Sequence, residues 1–175
     1  MNRSRVVQLA AALALIWFVV GALVVPGLGK RVLVDNQVQG CLPWSVYWNT
    51  QARPAQWRDG DLVVFDTPKM RAIDPQDRAR KLKMVAALPG QTVSVRQGRL
   101  WVNGQYWGKF WLSPWVARKA PDTKAPWFQY GQAVDGTWTI PAGKVLLLGT
   151  EPLSFDGRYW GLIDLSQLGP QAIAL

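Results

Sequence analysis

A mostly β body behind one N-terminal membrane-spanning helix is the fold class that this sequence predicts. Three observations predict it. Residues 6–25 read VVQLAAALALIWFVVGALVV without a charge. Beyond residue 32 the helical period largely disappears, and tight-turn dipeptides recur between short apolar runs. The 175 residues are about one domain's worth, with 49% hydrophobic and 18% charged side chains, which excludes a disordered tail.

The apolar segment comes first. At ~1.5 Å per residue, about 20 helical residues cross the ~30 Å hydrocarbon core of a bilayer. Arg3 and Arg5 precede it and favour a cytoplasmic N-terminus, although Lys30 and Arg31 put positive charge on the other side as well. A cleavable signal peptide has an apolar region of roughly 7–15 residues ending in a small-x-small site. This segment is longer and runs into Val24-Val25-Pro26. The expectation is therefore a cytoplasmic stretch over 1–5, an uncleaved anchor over 6–26 and an exported body over 32–175.

In the body, Asp59-Gly60 introduces the apolar run DLVVF at 61–65. Residues 91–96 alternate, with Val93 and Val95 on one side. The dipeptides Gln97-Gly98 and Asn103-Gly104 bracket residues 99–102, which predicts a three-stranded meander ending at Gln105 to Trp107. Residues 137–140, Pro141-Ala142-Gly143 and residues 144–148 read as a further strand-turn-strand unit. One short helix is expected from Asp74 as N-cap, with Pro75 at its first position, through Arg80. Residues 109–135 are rich in Trp, Pro and Gly, and read as an insertion or long loop.

Composition also limits the chemistry. The chain has no histidine and one cysteine. That excludes a Ser-His-Asp triad, a Cys-His pair, a histidine-ligated metal and an internal disulfide. A hydrolase built from this chain must take its general base from Lys or a carboxylate. The net charge is +9, yet the Lys and Arg are scattered and no nucleic-acid motif is present. Attraction to anionic lipid is the better reading of that charge. The 11 tryptophans fit a packed β core with an apolar rim near lipid or a peptide partner.

Four short blocks carry candidate chemistry. They are Gly40-Cys41-Leu42-Pro43-Trp44-Ser45-Val46-Tyr47, Asp59-Gly60-Asp61-Leu62-Val63-Val64-Phe65, Lys83-Met84-Val85-Ala86-Ala87-Leu88-Pro89-Gly90-Gln91-Thr92-Val93, and Gly149-Thr150-Glu151-Pro152-Leu153-Ser154-Phe155-Asp156-Gly157-Arg158-Tyr159-Trp160-Gly161. Their order behind a single apolar segment resembles the type I signal peptidase family. Within that family the chain looks most like the TraF-type peptidases of conjugative transfer systems. Their nucleophile block has the form Ser-x-Pro-x-Gly-x-Tyr, of which Pro43 and Tyr47 match. The third block resembles the lysine segment K-x-V-x-x-L-P-G, Val102-Asn103-Gly104 resembles the VNG hairpin, and the fourth block resembles the closing S-x-D-x-R-Y-x-G.

The resemblance implies a β-rich catalytic fold and a serine–lysine dyad acting on exported precursors beside the membrane. By position, the nucleophile falls on Cys41 and the general base on Lys83. Ser154 orients the lysine, and Asp156 with Arg158 forms a supporting ion pair. Cys41 stands where the family has serine, Ser45 where it has glycine, and Gln91 where an aspartate usually follows Leu-Pro-Gly. Gln39 occupies the place of a hydroxyl that often assists the oxyanion hole, leaving the Cys41 N–H with the Gln39 amide for that task. Leu42, Trp44 and Val85, Ala86 and Ala87 are expected to wall an apolar groove for small residues before the cleaved bond.

A cysteine nucleophile asks less of its base than serine does, because thiols ionise near ~8.5 whereas a lysine, normally ~10.4, acts as a base only when neutral. Three roles for Cys41 stay open here: nucleophile of a Cys–Lys peptidase, buried residue of an inactive relative, or neighbour of a Ser45 nucleophile. Lys83 reads either as that base or as a solvated surface lysine, and Asp156 with Arg158 as an ordinary surface pair. The resemblance further implies an inner-membrane, single-pass protein with its body on the periplasmic side. Its partners would be a pilin or other exported precursor, membrane lipid and possible transfer-apparatus subunits, with no nucleic acid. The dyad needs no metal or organic cofactor. A membrane-tethered scaffold and a general signal peptidase are the alternatives.

Overall fold

The computed structural model describes residues 11–18, 21, 27, 31–35, 40–65, 81–119 and 125–175. Residues 11–18 are helical, and Leu13, Leu15, Ile16, Trp17 and Phe18 are each more than half exposed. Among the described residues no helix is long and apolar enough to cross a membrane. Apart from Gly21, the rest of the expected anchor lies outside them, as do Gln39 and the helix expected from Asp74 to Arg80.

The body is mostly β, as expected, in two main sheets. The larger contains β1 (Val32–Val34), β2 (Val46–Asn49), β3 (Leu62–Phe65), β4 (Lys81–Ala87), β11 (Lys144–Leu148), β12 (Ile163–Asp164) and β13 (Leu168–Ala174), in the order β1-β2-β13-β3-β4-β11-β12. The smaller contains β5 (Thr92–Arg96), β6 (Arg99–Val102), β7 (Gln105–Lys109) and β10 (Gly136–Thr139), in the order β10-β5-β6-β7. A two-stranded ribbon of β8 (Phe128–Gln129) and β9 (Gln132–Ala133) completes the strands, with two short helices, α1 (Ser113–Lys119) and α2 (Gly157–Trp160).

The meander stands as read. Gln97 and Gly98, then Asn103 and Gly104, all take positive φ, the signature of type I′ hairpin turns that match the twist of their strands. The second strand-turn-strand unit differs. Its two strands, β10 and β11, do not pair; β10 joins β5 and β11 joins β4 and β12. Ile140, 1% exposed, exchanges backbone bonds with Gly90 and Gln91 just before the Pro141 turn carries the chain from one sheet to the other. Local turn chemistry marks such a reversal but does not say which sheet each arm will join.

The segment over 109–135 also needs correction, because it supplies core rather than a loop. Phe110, Val116, Trp127 and Phe128 are buried together with Val93, Val95, Leu100 and Val102 of the small sheet and Ala86, Ala87, Leu146 and Leu148 of the large one. Trp127 is fully buried, and its indole N–H donates to the carbonyls of Gly157 and Arg158 at 3.2 and 3.1 Å. Weak periodicity hid this contribution because aromatic side chains from irregular backbone fill the space between the sheets.

At its β1 end the large sheet keeps an apolar outer face. Val32, Trp48 and Ile173 lie in one row across β1, β2 and β13. Val34 pairs with Val46, whose carbonyl accepts from Leu175 N–H, so a second row runs parallel to the first on the same face. Val34, Ile173 and Leu175 are 65%, 51% and 69% exposed, and the Arg31 guanidinium lies 5.5 Å from the centre of the Trp48 ring.

Trp127→Ala is expected to cost about 3–5 kcal/mol, the range for deleting a buried aromatic. Urea unfolding of the full chain measures it; a cost within about 0.5 kcal/mol, as for ordinary surface changes, would restore the loop reading.

Candidate active site

The site assembles at the end of β11. In the β4–β11 ladder, Leu146 faces Ala87 but Leu147 faces Val85, so Ala86 is an extra residue in β4. Such a bulge advances one strand against the other and changes which side chains stand opposite. Leu148 then faces Met84, and the same register continued by one residue sets Gly149 across from Lys83. Directly opposite residues of an antiparallel pair project to the same face. The side chain that Gly149 lacks would therefore point to the Lys83 face.

That space is already taken. A Cβ on Gly149 would stand 2.2 Å from Ser154 Oγ and 2.4 Å from the Cys41 carbonyl oxygen. The Cys41 carbonyl also accepts from Glu151 N–H at 3.3 Å. Glycine is needed here for close approach, and the approach is what brings the first and fourth sequence blocks together.

Behind this junction lies the Asp156–Arg158 pair, at 0% and 1% exposure a buried pair rather than a surface one. Arg158 Nε donates to Asp156 Oδ1 at 2.9 Å and Nη2 to Oδ2 at 2.6 Å, a bidentate arrangement. Asp156 also caps α2 by accepting from Arg158 N–H at 3.0 Å, and accepts from Gly149 N–H at 2.8 Å. Arg158 Nη2 reaches the carbonyls of Gly149 and Glu151 at 3.3 and 3.1 Å. Burial works against the guanidinium charge, but Asp156 outweighs it, and the Arg158 pKa is raised. Removing one member of such a buried pair costs about 3–5 kcal/mol because the other charge is stranded.

The remaining expected residues sort by burial. Lys83 is 5% exposed and sits in the row of Val63, so it is not a solvated surface lysine, whereas Lys81 is half-buried. Ser154 is 1% exposed, and among the described residues its Oγ has no hydrogen-bond partner. Cys41 is a free, half-buried thiol. Ser45 is exposed at the start of β2, its carbonyl accepting from Asp35 N–H at 2.8 Å. Tyr47 is buried, donates its hydroxyl to Trp44 O and is pushed up to about 12, first by burial and then by the nearby Asp35 and Cys41 charges. It stays a neutral phenol near neutral pH.

The expected groove wall changes. Leu42, Val85, Ala86 and Ala87 are all buried in the three core clusters, at 4%, 0%, 4% and 0% exposure. Strand β4 is packed on both faces, so its apolar run serves the core. Trp44, at 40% exposure, is the expected wall residue that reaches solvent. Among the described residues no cluster of His, Cys, Asp or Glu could hold a metal ion.

Gly149 and Trp107 also contribute to the site, though neither carries a chemical group that marks it in the sequence. Gly149 opens the fourth block, and a glycine directly after an apolar strand is a readable hint of close approach. Trp107 donates its indole N–H to Gly149 O at 3.1 Å from the small sheet, a contact with no local sequence signal.

The family "Signal peptidase, peptidase S26" matches residues 3–174. A protein named signal peptidase I from Leptolyngbya laminosa is 30% identical over 118 residues, 66% of this chain and 51% of that protein. Signal peptidase I V of Bacillus subtilis is 29% identical over 104 residues, 59% of this chain and 56% of that one. The chain thus matches about half the length of these curated relatives. The crystal structure of a signal peptidase I from Enterococcus faecalis V583 is 23% identical, covering 68% of this chain and 98% of that one with a TM-score of 0.38.

Gly149→Ala should force the Ser154 and Cys41 segments apart, costing about 1–3 kcal/mol as overpacking does. The rate of Cys41 alkylation by iodoacetamide should change with it. An unaltered unfolding curve together with an unaltered alkylation rate would mean that the close approach is not there.

Proposed function

We propose that this chain, which belongs to the signal peptidase S26 family, is an endopeptidase in which Cys41 is the nucleophile and Lys83 the general base. The observation that carries the reading is the meeting of the Cys41 and Ser154 segments over the missing side chain of Gly149, one residue beyond the Leu148–Met84 pair and therefore beside the strand that bears Lys83. Burial of Lys83 and the unpartnered Ser154 hydroxyl support it. A buried polar group without a partner is costly in a merely structural role, but is suited to holding an amine in place.

The steps follow from these atoms. The Cys41 thiol gives its proton to the Lys83 amine as Sγ attacks the scissile carbonyl carbon. The Cys41 N–H, with the Gln39 amide, holds the oxyanion. The C–N bond breaks, and the leaving amine takes the proton back from Lys83. Water then attacks the thioester, releasing an acid and restoring the thiol. If an amine of the precursor attacks instead, an amide forms and the product is cyclised head to tail.

The substrate proposed is an exported precursor, in the first place a pilin of a conjugative transfer system, as the Pro43 and Tyr47 spacing after Cys41 suggests. General preprotein processing is the second reading, favoured by relatives that are named signal peptidase I. The body would stand on the periplasmic side of the inner membrane, held by a single-pass anchor over 6–26. The two apolar rows of β1, β2 and β13, with Arg31 beside Trp48, suit a lipid surface.

Mass spectrometry of a pilin precursor co-expressed with wild type, Cys41→Ala, Cys41→Ser, Ser45→Ala and Lys83→Ala tests the chemistry. Processing is expected to need Cys41 and Lys83, falling by roughly 10²–10⁴ without the base, and to survive Ser45→Ala. Product mass separates hydrolysis from cyclisation. Linear product alone removes the cyclisation, and intact pilin alongside cleavage of other exported precursors favours the general peptidase. Failure to cleave any precursor leaves the membrane-tethered scaffold.

The lipid face is tested with a nitroxide label at Val34→Cys or Ile173→Cys in a Cys41→Ser background in bilayers. Both labels should be more accessible to oxygen than to a water-soluble nickel chelate, with the opposite order for a label at Tyr130→Cys. Aqueous behaviour at all three positions would sink the lipid assignment.

A further inference from the structure

The ladder between β6 and β7 contains a second bulge. Leu100 faces Gly108 but Trp101 faces Tyr106, so Trp107 is the extra residue of β7. A bulge re-aims the side chain it carries. Here the indole leaves the alternation of its strand, and Nε1 donates to the Gly149 carbonyl at 3.1 Å. The neighbouring Gly108 brings β7 against the same junction: a Cβ there would stand 3.2 Å from Arg158 Nη1. Two successive residues of the small sheet thus touch the group of atoms that holds Cys41 and Ser154.

We propose that Trp107 is a positioning residue for the peptidase reaction, its indole N–H setting the Gly149 peptide and through it the placing of Cys41 and Ser154. This rests on the proposed peptidase reading. Both backbone groups of Gly149 are held, its N–H by Asp156 at 2.8 Å and its carbonyl by Trp107 and by Arg158 at 3.3 Å. Arg158 is itself tied to Asp156, so those two bonds come from one rigid unit on the fourth block. Trp107 adds a donor from the other sheet. It limits rotation of the backbone there about the strand axis, which one acceptor and one donor on the same side leave free. Since the Cys41 carbonyl and Ser154 Oγ occupy the space where a Gly149 side chain would stand, rotation there disturbs both. A reacting pair displaced by even ~1 Å loses on the order of 10²-fold in rate.

Trp107→Phe keeps most of the ring and removes the N–H. Trp101→Phe is the control, because Trp101 lies in the neighbouring strand and its buried Nε1 has no hydrogen-bond partner among the described residues. With a cleaved precursor and the full chain, Trp107→Phe is expected to lower kcat about tenfold, or about 1.4 kcal/mol, with KM within about twofold. It should also move the pH profile of Cys41 alkylation by iodoacetamide, while Trp101→Phe leaves both as in wild type. Replacing the Trp107 indole by benzothiophene removes only the N–H and should reproduce the loss even if Trp107→Phe fails to fold. The proposal is overturned if the benzothiophene variant keeps wild-type kcat and alkylation profile, or if Trp101→Phe loses as much. Failure of the underlying reading looks different, since Cys41→Ala would then cleave as well as wild type.

Discussion

The buried Asp156–Arg158 pair is the interaction on which the rest of the site depends. Two opposite charges at 0% and 1% exposure must satisfy each other and every nearby polar group, because desolvation would otherwise exceed their attraction. They do so by gathering backbone. Asp156 takes the N–H groups of Gly149 and Arg158, and Arg158 takes the carbonyls of Gly149 and Glu151. The polypeptide from 149 to 158 is thereby folded back on itself over the pair. Ser154 lies within that fold and Gly149 at its mouth, so the electrostatic requirement also sets the shape of the junction with Cys41.

Two β-bulges do the corresponding work in the sheets. One, at Ala86, shifts β4 by a residue, so that the ladder continued past Leu148 and Met84 would set Lys83 across from Gly149; the other, at Trp107, turns an indole from the small sheet onto the same glycine. Regular ladders would have kept the small sheet's edge strand and the lysine strand apart in function. Irregularities confined to single residues join them, and the aromatic core between the sheets makes them rigid enough to matter. Trp127 belongs to this support, since its N–H reaches the carbonyls of Gly157 and Arg158 from the segment that reads as a loop.

In the proposed reading the cysteine would alter the chemistry more than the architecture, because a thiol needs less help in losing its proton than a hydroxyl and so asks less of its base. Tyr47, neutral with its pKa near 12, adds no competing anion beside the thiol.

Much of this was legible in the sequence. Alternation and turn dipeptides marked the meander because hairpin turns depend on local φ, which Gln97-Gly98 and Asn103-Gly104 supply. The order of the four blocks pointed to Asp156 and Arg158, which pair, and to Cys41 and Ser154, whose segments meet at Gly149, because such residue types can be read in the sequence whatever surrounds them. Burial was beyond reach. Lys81 and Lys83 share a strand face, and only packing separates the half-buried one from the buried one. Leu42 and Val85 to Ala87 looked like a groove wall but serve the core, since an apolar run reads the same in either place. Sequence by itself determined the residue types and the local turns; tertiary structure decided register, which sheet each strand joins and which polar groups lose water. Those depend on contacts between residues far apart in the chain, and no local pattern encodes them.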